Sequence, residues 1–194
     1  MTIKKTVVVG VTGGIAAFKT IDLVKALRGS GYEVIVIMTE NATKIIRPDE
    51  FEAASGNKVY YELFEEGFDY KVILENRKVD HIEIADKADI LVIAPATANI
   101  IAKIAHGFAD DFLTTTILAT KAQVIICPAM NVNMWSNMTM KENLEKIRMQ
   151  GYLIVEPGSG MLACGYEGKG RLADLDLINS EINRQMHKRE ELGI

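Results

Sequence analysis

Thr6-Val7-Val8-Val9-Gly10-Val11 is an apolar, β-branched run that continues directly into Thr12-Gly13-Gly14. Such a run predicts a buried strand, and the glycine pair predicts a tight turn after it. A helix is predicted next, because apolar side chains recur at the spacing of one helix face: Ala17, Ile21, Val24 and Leu27. Gly29 and Gly31 are predicted to end this helix. The chain is therefore expected to begin as a strand, a turn and a helix.

The same alternation of apolar runs and helical patterns continues along the chain. Further strands are predicted at Glu33–Met38, Asp89–Ala94, Val124–Cys127 and Tyr152–Val155. Helices are predicted near Pro48–Ser55, Ile100–Ala105, Asp111–Ala119, Met140–Gln150 and from Asp174 to about Lys188. Strands that are apolar throughout suit a parallel sheet covered on both faces. We therefore expect a single-domain α/β fold: a doubly wound, mostly parallel sheet with helices on both faces, of the Rossmann or flavodoxin-like type.

The composition excludes several classes of protein. The 194 residues suit one domain, and a hydrophobic share of 48% can bury a sizeable core. The 22 basic and 26 acidic groups are well mixed, with a formal net charge of -4, so no basic stripe indicates nucleic acid. No membrane span and no signal peptide are predicted. Cys127 and Cys164 form no C-x-x-C pair, which indicates neither a disulfide framework nor a metal site. We expect a cytoplasmic protein.

The first candidate ligand site is the turn Thr12-Gly13-Gly14-Ile15. Glycines let the backbone turn tightly, and the N-terminus of a helix offers N–H groups and positive partial charge to a phosphate. The turn matches neither the dinucleotide pattern G-x-G-x-x-G nor a Walker loop. It is therefore interpreted either as a plain connection or as a site for a mononucleotide phosphate such as that of FMN.

The loops after the next two predicted strands lie at the same edge of the sheet. They contain Thr39 and the stretch Ala94-Pro95-Ala96-Thr97-Ala98-Asn99. Open α/β sheets bind ligands at this carboxyl edge. Small residues would let a flat ring or a ribityl chain come close, with the backbone of Pro95 to Ala98 as the contact. Asn99 also has a simpler interpretation, as the cap of the following helix.

Pro128-Ala129-Met130-Asn131-Val132-Asn133-Met134-Trp135 follows a predicted strand at that edge as well, and it holds the only Trp. Pro128 is predicted to end the strand. Such a run of Pro, Met, Asn and Trp needs a reason other than turning the chain. Met134 and Trp135 are expected to be exposed beside the site, as would suit an interface.

Two further side chains could exchange protons. His81 follows Asp80, a predicted N-cap, and a helix N-terminus lowers the pKa of a histidine and keeps its ring neutral; an ordinary surface or capping role is the alternative. Cys164 lies in a Gly-rich stretch, about 157–172, that is predicted to be a flexible flap. This thiol is either incidentally exposed or a proton donor or nucleophile. The other thiol and imidazoles have structural interpretations: Cys127 in the core, His106 as a C-terminal helix cap and His187 as a solvated side chain.

Together these motifs resemble those of the homo-oligomeric flavin-containing Cys decarboxylases. The segment Pro128–Trp135 matches the pattern P-x-M-N-x-x-M-W at every fixed position, and His81-Ile82-Glu83 is similar to the active-site histidine motif. Leu162-Ala163-Cys164-Gly165 is similar to the clamp motif of one branch, the phosphopantothenoylcysteine decarboxylases of coenzyme A synthesis. Tyr166 stands where that branch usually has Asp. The resemblance extends from Val7 to about Ile178.

The resemblance implies FMN-dependent decarboxylation of 4′-phospho-N-pantothenoylcysteine to 4′-phosphopantetheine. The amine of this substrate is tied up as an amide, so no Schiff base to pyridoxal phosphate can form. Instead the thiol would be oxidised to a thioaldehyde, CO2 would leave, and the enethiol would be reduced again. By resemblance, His81 handles the proton during thiol oxidation, Asn131 binds the carboxylate or amide, and Cys164 protonates the enethiolate.

The resemblance and the loop positions also predict binding residues and partners. Residues expected to bind FMN are Thr12, Gly13, Gly14, Ile15, Thr39, Pro95, Ala96, Thr97, Ala98 and Asn99. Residues expected to bind the substrate are Ala129, Met130, Asn131, Ala163 and Cys164. The implied assembly is a homo-oligomer, a trimer or a dodecamer, with FMN at the subunit interface. Bacterial versions are often fused to a ligase, whereas this chain ends at Ile194, so it is expected to be a stand-alone decarboxylase.

Three other functions are weighed against this one. A peptide cysteine decarboxylase of the lantibiotic type shares His81 and the Asn131 motif, but the Ala163-Cys164-Gly165 clamp disfavours it. An enzyme similar to prenyl-FMN synthases shares the glycine turn and leaves the Asn131 motif unexplained. A non-catalytic, flavin-binding regulatory subunit is disfavoured by the intact catalytic residues.

Overall fold

The computed structural model of the chain describes residues 4–64, 66–163 and 165–193. Within them, six strands form one parallel sheet: β1 (Thr6–Val11), β2 (Glu33–Met38), β3 (Val59–Tyr60), β4 (Ile90–Ala96), β5 (Gln123–Pro128) and β6 (Leu153–Ile154). Their order is β3-β2-β1-β4-β5-β6, so the winding reverses between β1 and β4. Ligands bind at the carboxyl ends of the strands at such a switch point. The predicted doubly wound α/β fold is confirmed.

Helices connect the strands and cover both faces of the sheet. They are α1 (Ala17–Gly29), α2 (Glu40–Thr43), α3 (Pro48–Ser55), α4 (Tyr70–Asn76), α5 (Asp80–Lys87), α6 (Ala98–His106), α7 (Phe112–Ala119), α8 (Val132–Ser136), α9 (Met138–Met149) and α10 (Leu175–Leu192). Among the described residues, none of these helices combines the length and apolar character that crossing a membrane requires.

Successive side chains of each central strand point to opposite faces, and both faces are buried. In β1, Val7 and Val9 belong to one core region and Val8 to the other. The first region is completed by α1, α3 and α10, and the second by α6, α7 and α9, through buried side chains such as Leu23, Phe51 and Ile178, and Ile101, Leu113 and Ile147. Burial on both faces explains why these strands read as unbroken apolar runs.

The strands β1 and β2 and the helix α3 have the predicted bounds, whereas β4 and β5 end later than expected. β4 continues through Pro95 to Ala96, and β5 includes Pro128 as its last residue. Proline lacks the N–H that a ladder needs, and Pro95 lies where the pairing of β4 with β5 becomes irregular, between Ile93 and Ala96. Pro128 pairs with Ala96 at the end of the ladder. The loop after β4 therefore begins two residues beyond the predicted point.

The stretch 57–80, for which the sequence predicted no element, contains the short edge strand β3 and the helix α4. Asp69 caps α4 through a hydrogen bond from the N–H of Lys71. α4 buries none of its described side chains, and its apolar residues Tyr70, Val72 and Leu74 are exposed. Its seven residues are fewer than the window of about 11–18 over which periodicity is detected, which explains why the helix was missed.

The predicted flap contains an antiparallel hairpin of β7 (Gly158–Met161) and β8 (Glu167–Arg171). Gly160, Gly168 and Gly170 have φ values of 143°, 156° and 149°, which side chains rarely adopt, and this accounts for the glycine-rich sequence. The hairpin lies outside the six-stranded sheet. Whether it moves remains a prediction.

Candidate active site

A cleft of about 790 Å³ opens at the carboxyl ends of the strands, beside the switch point between β1 and β4. Its volume lies within the range of small-molecule sites, about 300–1,000 Å³. Thr12 joins the two loops that flank the switch point: its hydroxyl donates to the carbonyl oxygen of Pro95 (2.6 Å) and accepts from the N–H of Thr97 (3.1 Å). The side chain of Thr12 is thus fully engaged inside the protein, and its contribution is to fix the shape of the cleft.

The glycine turn forms one wall of the cleft together with Ile15. A Cβ atom at Gly13 would lie 2.6 Å from Cβ and 3.0 Å from the backbone carbon of Asn41. Real Cβ atoms do not approach backbone or Cβ atoms this closely. Gly13 is therefore required for the close approach of the turn to the segment after β2, which begins with the cleft residue Thr39.

The N-terminus of α1, which follows this turn, carries no side-chain cap and no acidic residue in its first turn. No described residue accepts a hydrogen bond from the N–H groups of Gly13, Ile15 or Ala16, all of which line the cleft. The starts of α6, α7, α8 and α9, in contrast, are capped by side chains: Thr97, Asp111, Asn131 and Asn137. Uncapped N–H groups at the positive end of a helix suit a bound phosphate.

The loop after β4 contributes Thr97, Ala98 and Asn99 to the cleft. The predicted capping role of Asn99 is wrong: Thr97 is the N-cap of α6 and accepts from the N–H of Ile100 at 3.4 Å. Pro95 and Ala96 are buried within β4, behind the cleft, and the carbonyl oxygen of Ala96 accepts from the N–H of Ala129 at 3.0 Å. These two residues shape the wall from behind rather than line it.

Asn131 lies on the opposite wall, with Ala129 and Met130. It is the N-cap of α8, and its side-chain oxygen accepts from the N–H of Asn133 at 2.8 Å. This bond fixes the acceptor end of the amide and gives the side chain a defined orientation. The structure thus brings the Asn131 segment and the glycine turn together in one cleft, as predicted.

The hairpin lies along the same wall. Met161, Leu162 and Ala163 from its first half, and Gly170 and Arg171 from its second half, line the cleft. The predicted catalytic Cys164 lies outside the described residues. Ala163, the residue before it, lines the cleft.

His81 is the second residue of α5, whose N-cap is Val79, so the predicted cap Asp80 is instead the first helical residue. The ring of His81 meets Phe112 edge to face, with centroids 6.0 Å apart. Partial burial lowers the pKa of His81 below its ordinary value, and the neighbouring Asp80 opposes this shift. Among the described residues, His81 is not one that lines the cleft of its own chain. Its ring partner Phe112 directly follows Asp111, which lines the cleft.

Sequence reasoning missed a charged cluster at the cleft. The ammonium of Lys103 lies 2.7 Å from Asp110 and 3.1 Å from Asp111. Partial burial would lower the pKa of Lys103, but the bonds to both carboxylates outweigh it and raise the pKa. The bond from Lys103 also lowers the pKa of Asp110. The available signal was the Asp110-Asp111 pair at the start of the predicted helix, where Asp111 caps α7.

The structural interpretations of the remaining thiol and imidazoles are confirmed. Cys127 is fully buried, and burial raises the pKa of its thiol, so it is an inert core residue. His106 ends α6, with Nδ1 2.9 Å from the carbonyl oxygen of Ala102. His187 is exposed on α10, 3.6 Å from Glu190. Met134 is exposed as predicted, but Trp135 is half-buried because it packs against the second core region.

Comparison with known proteins adds a family match. A family model described as "Flavoprotein" matches residues 1–187. The coenzyme A biosynthesis bifunctional protein CoaBC of Bacillus subtilis is 45% identical over 175 residues, which cover 90% of this chain and 41% of that protein. The chain thus spans less than half the length of this relative. A probable phosphopantothenoylcysteine decarboxylase of Streptococcus mutans is 38% identical and is matched over 99% of its length.

Two solved structures share the fold. The FMN-dependent cysteine decarboxylase SpaF is 32% identical, with a TM-score of 0.80 and coverage of 95% of this chain and 96% of that chain. A PPC decarboxylase mutant complexed with pantothenoylaminoethenethiol is 28% identical, with a TM-score of 0.78 and coverage of 93% and 97%.

Proposed function

The chain belongs to the Flavoprotein family, and on that premise we propose that it catalyses the FMN-dependent decarboxylation of 4′-phospho-N-pantothenoylcysteine in coenzyme A biosynthesis. The observation that carries the proposal is the cleft itself. It joins an uncapped helix N-terminus, suited to a phosphate, to a wall that presents Asn131. The named relatives support the substrate, and SpaF supports FMN.

The described residues fit FMN. The N–H groups of Gly13, Ile15 and Ala16 would hold its phosphate, and the half-buried hydroxyl of Thr39, which makes no hydrogen bond to the described residues, lies on the same wall. The exposed side chains of Ile15 and Met134 offer apolar surface to a flat ring. When bound, FMN supplies an acceptor for the electron pair of the substrate and later returns it, so the net reaction consumes no oxidant.

Asn131 is proposed to hold the carboxylate that leaves as CO2. Its side-chain oxygen accepts from the N–H of Asn133, and the amide NH2 is the donor end of the side chain. A donor placed there binds the substrate carboxylate and orients the bond that breaks. Ala129 and Met130, on the same wall, are proposed to contact the rest of the substrate.

His81 is proposed to take up a proton while the substrate thiol is oxidised to a thioaldehyde. A lowered pKa keeps the imidazole neutral and able to accept a proton. Because His81 lies beside the cleft of its own chain without lining it, we propose that a second copy of the chain brings the two together. A trimer or dodecamer with FMN at the interface, acting in the cytoplasm, remains a prediction from the family resemblance.

Cys164 is proposed to protonate the enethiolate that forms when CO2 leaves. The hairpin supports this role, because its described residues Leu162 and Ala163 line the cleft on the side of Asn131. A closed hairpin would also exclude water from the thioaldehyde, which water would otherwise attack.

A substrate panel tests the proposal against its alternatives. The FMN-loaded protein is expected to release CO2 from phosphopantothenoylcysteine and not from peptides that end in cysteine. Faster turnover of the peptides would assign the chain to peptide cysteine decarboxylation. Bound flavin with no CO2 release from either substrate would support a regulatory subunit.

The Gly13→Ala variant is expected to bind FMN about tenfold or more weakly, because its Cβ would collide with Asn41 and displace the turn that holds the phosphate. Titration of apoprotein with FMN, followed by quenching of flavin fluorescence, measures the affinity. Gly29→Ala is the matched control: this glycine ends the same helix and a Cβ there meets nothing within 4 Å. Equal FMN affinities for the two variants would show that the turn does not bind FMN.

A further inference from the structure

Strand β8 of the hairpin lies directly against the segment that carries Asn131. The N–H of Met130 donates to the carbonyl oxygen of Gly170 at 2.9 Å, and a Cβ at Gly170 would lie 2.2 Å from the oxygen of Met130. A Cβ at Gly168 would lie 2.9 Å from Cγ2 of Val132. The two glycines therefore let β8 approach the backbone on both sides of Asn131.

Lys169 lies between these glycines, and its ammonium contacts both an aromatic ring and a carboxylate. Its ammonium is 5.4 Å from the centroid of the Trp135 ring and 2.7 Å from Oε2 of Glu156. The other carboxylate oxygen of Glu156 accepts from Arg148 of α9 at 2.7 Å. A cation within about 6 Å of an indole centroid is attracted to the ring. Lys169 thus connects β8 to α8 by its contact with Trp135 and to α9 through Glu156.

Packing against the core does little to hold α8 in place. α8 is a single short turn, and none of its described side chains is fully buried. Trp135 is the side chain of α8 that packs against the core, and its outer face is where the ammonium of Lys169 lies. Few buried contacts leave such an element free to shift unless other contacts hold it. The position of Asn131, at the start of α8, therefore depends on what Trp135 contacts.

We propose that Lys169 is a positioning residue, which acts through Trp135 to hold α8 and thereby the side chain of Asn131 in the cleft. Lys169 is not among the described residues that line the cleft, so the proposed role acts through Trp135. The role rests on the proposed function, which gives Asn131 its task, but the contact itself can be tested without turnover.

Trp135 reports on this contact, because it is the only Trp of the chain. In the FMN-loaded protein, Lys169→Met is expected to increase acrylamide quenching of Trp fluorescence and to lower kcat/KM for phosphopantothenoylcysteine about fivefold, the size expected for an exposed ion pair and a cation–π contact together. Lys169→Arg keeps a cation that can stack on the indole and bond Glu156, so both values should return close to those of wild type. Lys188→Met, an exposed lysine on α10, is the matched control.

A double variant separates positioning from a general effect of charge. If Lys169 acts through Trp135, then Lys169→Met should lower kcat/KM no further in a Trp135→Leu background. Additive losses would overturn the proposal, as would unchanged quenching in Lys169→Met, unchanged kcat/KM, or failure of Lys169→Arg to restore both. A wild-type protein that never releases CO2 contradicts the proposed function instead, since the quenching measurement requires no reaction.

Discussion

The Asn131→Asp variant is expected to fold and bind FMN while CO2 release from phosphopantothenoylcysteine falls about 100-fold or more. Aspartate is as good an N-cap as asparagine, so the bond from the N–H of Asn133 that begins α8 is retained. The donor that would meet the substrate carboxylate is replaced by a like charge. A lost bond to a charged group costs about 1.5–3 kcal/mol, and repulsion adds to this, which together correspond to at least that loss in rate.

Asn137→Asp provides a matched control for this change. Asn137 is the N-cap of α9, and its side chain accepts from the N–H of Thr139 at 2.9 Å, as that of Asn131 does from Asn133. It is not among the described residues that line the cleft. Turnover, FMN affinity and melting temperature of Asn137→Asp should match wild type. If both variants lose activity equally, the loss results from changing a helix cap and not from losing a donor to the substrate carboxylate.

The His81→Asn variant is expected to lose about 10²- to 10⁴-fold in turnover, the usual contribution of a general base, with little change in FMN affinity.

The pH dependence of wild-type turnover is expected to show the titration of the same residue. Partial burial lowers the pKa of His81, so the ring is protonated, and the base lost, only as the pH falls below that lowered value. The acid limb of kcat/KM is therefore expected below the ordinary histidine pKa of about 6.5. An acid limb above that value would argue against His81 as the base.

Two controls accompany this variant. His187→Asn changes an exposed histidine of α10 and should leave turnover unchanged. Mixing inactive His81→Asn with inactive Asn131→Asp, under conditions that exchange subunits, should restore part of the activity if one copy supplies His81 to the cleft of another. No recovery, with exchange verified, would place both residues in the site of a single chain.

The fold could be predicted because its central strands are buried on both faces. β1 and β2 are almost entirely apolar, so their bounds could be predicted from the local sequence. α4 was missed because its seven residues are too few to show a clear helical period. The extension of β4 through Pro95 was missed because local preference places proline outside strands, whereas the end of a ladder tolerates it.

The candidate site was predictable where its residues follow strands. The glycine turn and Asn131 each lie just after a strand, so sheet topology brings them to one edge. The alternative interpretation of Asn99 as the cap of α6 is wrong, because Thr97 can cap as well and only the backbone shows where the helix begins. The placement of His81 beside the cleft, and the Lys103 cluster, depend on how helices pack, which no local pattern encodes.

The most direct test of the proposed function is an anaerobic assay of the wild-type protein with and without FMN. We expect the purified or reconstituted protein to show the visible absorption of bound flavin and to release one CO2 for each 4′-phosphopantetheine formed, with no added oxidant and none of this activity in the apoprotein. A protein that stays colourless after reconstitution, or one that binds FMN and releases no CO2 from phosphopantothenoylcysteine, would contradict the proposal.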